Sequence, residues 1–199
     1  MSESNSIDLD GELPDGADDS ADSADSADLA ALITARLRDV PDFPAPGVMF
    51  KDITPLLADG ETFGACVRAL AARPEARSAD VVAGVEARGF ILAAALAQEL
   101  GAGMMPVRKV GKLPPPTVRT SYQLEYGSAE IEVPTGLLDG KRVYLVDDVL
   151  ATGGTLAATV GLLTRAGADV TGIGVLTELS FLNGRSRLAE WDPTSLLVL

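Results

Sequence analysis

The chain has 199 residues, 47% of them hydrophobic, and it carries 16 basic residues, 29 acidic residues and no histidine. This length and apolar content suffice for one domain with its own core. The lack of histidine excludes imidazole acid–base catalysis and the usual zinc sites, so a general acid or base must be a carboxylate, a lysine or a tyrosine. A metal would need oxygen ligands, which favours Mg²⁺ shared with phosphates.

The acidic residues are concentrated at the N-terminus. Residues 1–28 hold ten acidic and no basic residues, and residues 20–28 repeat the triplet Ser-Ala-Asp three times. This composition predicts a disordered acidic tail, with a regulatory arm as the alternative. The remainder, residues 29–199, has 16 basic against 19 acidic residues and lacks the basic surplus typical of nucleic-acid binding. We therefore predict a single domain over residues 29–199 and no nucleic-acid partner.

The sequence disfavours two further classes of protein, membrane-spanning proteins and secreted proteins. It contains no run of about 18 apolar residues, so no membrane-spanning helix and no membrane partner is predicted. The N-terminal residues lack the basic and apolar regions of a secretory signal, which predicts a cytoplasmic location. The single cysteine, Cys66, has no partner for an intramolecular disulfide and lies in a helical apolar pattern, where we expect a buried thiol.

In chain order, the first predicted helix follows Asp28, which can cap its N-terminus, and it is expected to end at Val40 before Pro41. Residues 41–57 come next, with three prolines among their first six residues. Proline fixes φ and cannot continue a helix, so this segment must be irregular and must present its aromatic and apolar side chains from a loop.

Helical and strand patterns then alternate. They predict helices over 61–73, from 89 to 100 and after 154, and strands over 80–85, 104–107, 121–127, 130–133, 143–146, 169–177 and 195–199. Residues 108–119 interrupt this alternation with four basic residues, one glycine and three consecutive prolines. We interpret residues 108–120 as a mobile basic flap that closes over a ligand, with a solvated loop as the alternative.

The most informative stretch is residues 142–159, where a strand is followed by Asp147 and Asp148, a loop of small residues and a helix. In an open α/β sheet, ligands bind beyond the carboxyl ends of the strands. The loop can direct consecutive N–H groups and threonine hydroxyls at a phosphate. The acidic pair would repel that phosphate, so it is expected to face sugar hydroxyls or Mg²⁺.

Residues 146–155, Val-Asp-Asp-Val-Leu-Ala-Thr-Gly-Gly-Thr, resemble the phosphoribosyl pyrophosphate (PRPP) motif of type I phosphoribosyltransferases. The resemblance implies an α/β fold with a mainly parallel central sheet flanked by helices and a small N-terminal hood. It also implies that the acidic pair contacts the ribose and that the following loop holds the 5′-phosphate. The residues carried over are Asp147, Asp148, Ala151, Thr152, Gly153, Gly154 and Thr155.

Residues 41–57 resemble the hood of the adenine phosphoribosyltransferase family, which carries the pattern Phe-Pro-x-Pro-Gly-x-x-Phe-Arg-Asp-Ile. In that family the segment reads and sandwiches the adenine base, which implicates Val48, Met49, Phe50 and Lys51 here. Lys51 stands where the family has arginine, and an ammonium does not replace a guanidinium wherever a planar group is needed.

Two further stretches resemble parts of the same family. Glu86, Ala87 and Arg88 match its pyrophosphate loop, which often contains a cis peptide bond that we expect near Glu86-Ala87. The flap resembles the family loop that closes over pyrophosphate, which implicates Arg108, Lys109 and Lys112. An arginine matching Arg108 is thought to reach a neighbouring subunit, so the resemblance implies a homodimer. A plain surface charge is the alternative for Arg88.

Residues 121–127, Ser-Tyr-Gln-Leu-Glu-Tyr-Gly, resemble the signature that returns from this flap. The resemblance assigns Glu125 to proton transfer at the base and Tyr126 to a lid over the substrate. It thus implies the reaction of adenine with PRPP to give AMP and pyrophosphate, with Mg²⁺ held through the substrate near Asp147 and Asp148 and not by the protein alone. A phosphoribosyltransferase for another base and a PRPP-sensing regulator without enzymatic activity are the alternatives.

Overall fold

The computed structural model describes residues 19–124 and 127–199. Its helices are α1 (Asp19–Arg36), α2 (Thr54–Ala58), α3 (Gly60–Ala71), α4 (Pro74–Arg77), α5 (Gly89–Leu100) and α6 (Gly154–Arg165). Its strands are β1 (Arg38–Pro41), β2 (Met49–Asp52), β3 (Val81–Val85), β4 (Gly103–Lys109), β5 (Thr117–Leu124), β6 (Gly127–Pro134), β7 (Arg142–Leu150), β8 (Asp169–Glu178) and β9 (Thr194–Val198). Two short 3₁₀ turns, Ser180–Leu182 and Gly184–Leu188, precede β9.

The central sheet has seven strands in the order β5-β6-β4-β3-β7-β8-β9. The five strands from β4 to β9 in this order are parallel, and β6 runs antiparallel to both β4 and β5. Since β3 lies directly beside β7, the loops that follow these two strands leave the sheet at the same edge. The predicted type I phosphoribosyltransferase architecture, a mainly parallel sheet flanked by helices, is confirmed.

Two apolar cores lie on opposite faces of the sheet. One packs α6 against the sheet, and the other is built from α3, α5 and the C-terminal part of α1. Strands covered on both faces are mostly apolar, which is why β3 and β7 read as continuous hydrophobic runs. The predicted buried thiol of Cys66 is confirmed on the α3 side. None of the helices in the described residues is long and apolar enough to cross a membrane.

The N-terminal predictions need correction. The first helix begins at Asp19 and ends at Arg36, so the predicted cap at Asp28 and the predicted end at Val40 are both wrong. Alanine favours helix and acidic residues stabilise a helix N-terminus, so the Ser-Ala-Asp repeats can extend the helix backwards. Val40 instead belongs to β1, which pairs with β2 in a separate two-stranded sheet. The disorder predicted for residues 1–28 is wrong for residues 19–28, which are helical, and residues 1–18 lie outside the described residues.

Two aromatic residues near the C-terminus differ in burial. Trp191 packs against the α6-side core. Phe181, in the first 3₁₀ turn, is 75% exposed.

Candidate active site

The loops after β3 and β7 meet around one cavity of about 240 Å³ at the carboxyl edge of the sheet. Its lining combines the predicted pyrophosphate loop with the predicted PRPP motif and adds one residue from the hairpin, as follows: Val85, Glu86, Ala87, Arg88, Tyr122 and residues 147–156. The two motifs are about 60 positions apart in the sequence, and the β3–β7 pairing brings them together. The peptide bond between Glu86 and Ala87 is cis, as expected.

One hydrogen bond and one ion pair hold the acidic pair, Asp147 and Asp148. The backbone N–H of Asp148 donates to the carboxylate of Asp147 at 2.9 Å. The carboxylate of Asp148 is buried and pairs with the guanidinium of Arg88 at 2.9 Å. Burial and the neighbouring charge of Asp148 raise the pKa of Asp147 well above the ordinary carboxyl range. Burial also raises the pKa of Asp148, although Arg88 opposes this rise.

The small-residue loop fits closely against a second segment of the chain. Gly153 has φ of +75°, a conformation that favours glycine, and a Cβ there would collide with the carbonyl oxygen of Gly184. A Cβ on Gly184 would in turn collide with the carbonyl oxygen of Ala151. The helix α6 begins at Gly154, and the first N–H groups of a helix have no partner within it. The loop therefore borders the cavity with N–H groups suited to an anion.

An ion-pair network holds Gly184 in this position. Arg185 contacts both carboxylate oxygens of Glu178 through its Nε, at 3.1 Å, and its Nη2, at 2.6 Å. The same carboxylate accepts a hydrogen bond from Ser195, and Arg185 also reaches Asp192. Glu178 is buried and ends β8, so the network fixes the turn that supports the phosphate loop. Sequence reasoning missed this support: Asn-Gly is a typical turn pair, but local sequence does not reveal what the turn packs against.

Arg88 also joins the cavity to the hood. Its guanidinium lies 4.7 Å from the centre of the Phe50 ring, a cation–π distance, and its Nη1 lies 3.5 Å from the carbonyl oxygen of Lys51. The ring of Phe43 meets Phe50 edge-on at 5.1 Å. The alternative interpretation of Arg88 as a plain surface charge is therefore disfavoured, because its side chain contacts Asp148, Phe50 and the Lys51 carbonyl.

The lysine at position 51 has its own partner. Its ammonium pairs with the carboxylate of Asp39 at 2.7 Å across the β1–β2 register. The side chain thus points along the hood sheet and contacts no other predicted site residue in the described part of the chain. Half of Met49 is exposed, and both backbone groups of Val48 are hydrogen-bonded within the turn that precedes β2.

The basic flap begins beside the pyrophosphate loop. Arg108 Nε and the backbone N–H of Lys109 both approach the same oxygen of Glu86, at 3.3 and 3.0 Å. Arg108 also donates to the carbonyl oxygen of Lys112 at 3.3 Å. The antiparallel β5–β6 pair confirms the predicted hairpin. Tyr122 on β5 was not predicted, and its hydroxyl lies 3.5 Å from the Thr155 hydroxyl.

Glu125 and Tyr126, predicted for proton transfer and for the lid, lie outside the described residues. Glu125 directly follows β5, three positions after Tyr122. Of the remaining predicted residues, the cavity lining includes Ala151, Thr152 and Thr155, whereas the flap residues Arg108, Lys109 and Lys112 lie beyond it.

Comparison with known proteins agrees with this geometry. Residues 56–194 match the phosphoribosyl transferase domain. The chain is 55% identical over 169 residues to the adenine phosphoribosyltransferase of Frankia casuarinae, which covers 84% of this chain and 90% of that protein. The adenine phosphoribosyltransferase of Rhodothermus marinus superimposes with a TM-score of 0.82 at 45% identity, covering 87% of this chain and 99% of that one. The Saccharomyces cerevisiae enzyme, complexed with an imino-altritol bisphosphate and adenine, gives 0.80 at 35% identity, with 86% and 99% covered.

Replacing Asp147 with asparagine should stabilise the free protein by about 1 kcal/mol at pH 7, because it removes a carboxylate whose ionised form is disfavoured by burial. A raised pKa in the folded state makes this penalty absent below the ordinary carboxyl pKa, and the penalty grows as pH rises toward the folded-state value. Denaturant unfolding should therefore show a larger gain at pH 7 than at pH 4. An equal gain at both pH values would contradict the assignment.

Replacing Gly184 with alanine should weaken binding of PRPP, since the added methyl group collides with the carbonyl oxygen of Ala151. Gly161→Ala on α6 is the matched control, because a Cβ there meets only the far end of Arg165 at 3.6 Å. We expect the KM for PRPP to rise roughly tenfold or more in the Gly184 variant and to stay near the original value in the control. Identical KM values in the two variants would show that the contact does not position the loop.

Proposed function

The chain belongs to the adenine phosphoribosyltransferase family, and from this membership we propose how its residues transfer a phosphoribosyl group from PRPP to adenine, giving AMP and pyrophosphate. This pentosyl transfer is a step of purine salvage. The observation that carries the proposal is the convergence of an acidic pair, a loop suited to an anion and Arg88 around one cavity, with Arg88 also in contact with Phe50 of the hood. A homodimer and a cytoplasmic location, both suggested by the sequence, are proposed with it.

We assign the 5′-phosphate of PRPP to the loop of residues 151–155. This loop offers the N–H groups of the α6 N-terminus together with the hydroxyls of Thr152 and Thr155. Both the helix dipole and the converging donors favour a phosphate dianion there. Close packing of Gly184 against this loop holds the donors in place before the substrate binds. This preorganisation lowers the entropic cost of binding.

We assign the ribose hydroxyls to Asp147 and Asp148. Both lie on β7, directly before the loop of residues 151–155. A carboxylate accepts hydrogen bonds from two vicinal hydroxyls and can also face a hydrated Mg²⁺. Nowhere in the described residues do three acidic or sulfur ligands cluster as a metal site of their own. The donor set thus fits Mg²⁺ shared with the ribose and the pyrophosphate, where the ion would neutralise negative charge on the leaving group.

The pyrophosphate is assigned to the loop of Glu86, Ala87 and Arg88, with Arg108, Lys109 and Lys112 approaching from the flap. Breaking the bond between C1′ and pyrophosphate leaves positive charge on the ribosyl group and adds negative charge to the leaving group. Cations held close to that group stabilise the transition state more than the ground state. Closing the flap would also exclude water, which otherwise attacks the ribosyl cation.

We assign adenine to the hood. Phe50 would stack on the base, and backbone groups at the edge of β2 would form hydrogen bonds with it. In the described residues β2 pairs only with β1. Met49 is the first residue of β2. Lys51 is two residues further on and presents its backbone to the same side. One carbonyl and one N–H are what the 6-amino group and N1 of adenine require.

The remaining proton chemistry is assigned to Glu125, with Tyr126 as the lid. N9 of adenine attacks C1′, and the imidazole ring of the base must lose a proton in the course of the reaction. A carboxylate is the natural acceptor in a chain without histidine. Tyr122, on the strand that leads to Glu125, borders the cavity and supports this placement.

Base selectivity is the sharpest consequence of this assignment. Hypoxanthine and guanine carry an acceptor at position 6 and a proton at N1. At the β2 edge, the backbone carbonyl would then face an acceptor and the backbone N–H would face a donor, so neither hydrogen bond could form. Unpaired buried polar groups of this kind give discrimination on the order of 10⁴. With purified protein, PRPP and Mg²⁺, we expect AMP from adenine and little or no product from hypoxanthine, guanine, xanthine or orotate.

The Asp148→Asn variant serves as the control for contaminating activity in this assay, since it breaks the ion pair with Arg88 and should be inactive with every base. Faster reaction with hypoxanthine or xanthine would contradict the assignment of the hood and leave only the broader phosphoribosyltransferase family. If no base reacts, a regulator that senses PRPP becomes the better interpretation.

A further inference from the structure

Glu132 is a fully buried carboxylate that contacts the flap and does not line the cavity described above. Glu132 on β6 has no exposed side-chain surface. One of its oxygens accepts hydrogen bonds from three consecutive backbone N–H groups, those of Gly111, Lys112 and Leu113, at 2.8, 3.0 and 3.1 Å. The other oxygen accepts a hydrogen bond from the Thr117 hydroxyl at 3.0 Å and forms an ion pair with Arg119 Nε at 3.2 Å.

Four hydrogen bonds and one ion pair compensate the cost of burying this carboxylate. Burial by itself raises the pKa of Glu132, but hydrogen bonds from Leu113, Thr117, Lys112 and Gly111 more than offset burial and lower the pKa below its ordinary value. The group is therefore an anion in the folded protein at neutral pH. Three flap N–H groups, at residues 111–113, stabilise its negative charge, so the flap backbone is folded around the carboxylate.

This arrangement connects Glu132 to the cations assigned to pyrophosphate. The register of the sheet places Glu132 opposite Arg108 on β4 and opposite Arg119 on β5. The carbonyl of Lys112, in the turn that Glu132 holds, accepts a hydrogen bond from Arg108. Arg108 in turn contacts Glu86 of the pyrophosphate loop. A continuous series of contacts thus runs from the buried carboxylate to the cavity.

We propose that Glu132 is a positioning residue for the reaction: from outside the cavity, it folds the turn at residues 111–113 so that Arg108 and Lys112 face the pyrophosphate. This inference rests on the proposed function. It also revises the interpretation of residues 108–120 as mobile, because the turn at residues 111–113 and two β5 residues, Thr117 and Arg119, are all anchored to Glu132.

The test is Glu132→Gln, which keeps the shape and removes the charge. A glutamine has one acceptor oxygen and an NH₂ group that cannot accept from Thr117 or Arg119. Glu130→Gln is the matched control, because Glu130 lies two residues away on the same strand, is exposed, and loses the same charge. We expect the KM for PRPP to rise roughly tenfold or more in the Glu132 variant, with the KM for adenine changed less than threefold.

Amide hydrogen exchange separates positioning from a general loss of structure. In Glu132→Gln, exchange at residues 111–113 should accelerate while the amides of β3 and β7 keep their protection. Equal rises in the KM for both substrates, or unchanged kinetics with faster exchange, would overturn the proposal. If the wild-type protein itself does not use PRPP, the proposed function fails and this inference fails with it.

A second variant covers the case in which Glu132→Gln does not fold. Arg119→Gln removes one donor to Glu132 from a side chain that is 56% exposed and leaves the buried carboxylate with its four other partners. We expect the same selective rise in the KM for PRPP, smaller in size. A folded Arg119 variant with wild-type KM values and unchanged exchange at residues 111–113 would count against the proposal.

Discussion

The ion pair between Arg88 and Asp148 is the contact on which the rest of the site depends. Asp148 is buried beside the half-buried Asp147, and two adjacent carboxylate charges there would be strongly unfavourable without a cation within hydrogen-bonding distance. Arg88 supplies that cation from the neighbouring strand end. Because its guanidinium also lies over Phe50, one side chain links the proposed sugar site, the proposed pyrophosphate loop and the hood.

The distances in the site are set by close backbone packing at glycines. A Cβ on Gly84 would collide with the backbone of Gly89, and a Cβ on Gly89 would approach the carboxylate of Asp147 to 2.9 Å. These contacts bring α5 against β3 and β7, so that Arg88, just before α5, reaches Asp148. The pair Gly153 and Gly184 does the same for the phosphate loop. The loop of residues 151–155 and the acidic pair are therefore fixed by backbone packing.

Much of this arrangement could be predicted from local sequence. Residues 146–155 and 86–88 are contiguous motifs with a strand before and a helix after, so their place at the sheet edge followed from pattern alone. The roles of Glu132 and of the Arg185–Glu178 pair could not be predicted, because each depends on partners that the sheet register brings together. The limits of the first helix were also wrong, since the pairing of β1 with β2 overrides a helical pattern that continues to Val40.

The central claim is that one cavity holds the phosphate, the sugar and the base in a fixed order from α6 to the hood. A crystal structure of the protein with AMP tests it most directly. The account predicts the 5′-phosphate on the N–H groups of residues 151–155, the ribose hydroxyls within hydrogen-bonding distance of Asp147 and Asp148, and adenine stacked on Phe50 with its edge toward β2. AMP bound with its phosphate away from this loop, or with its base away from the hood, would contradict it.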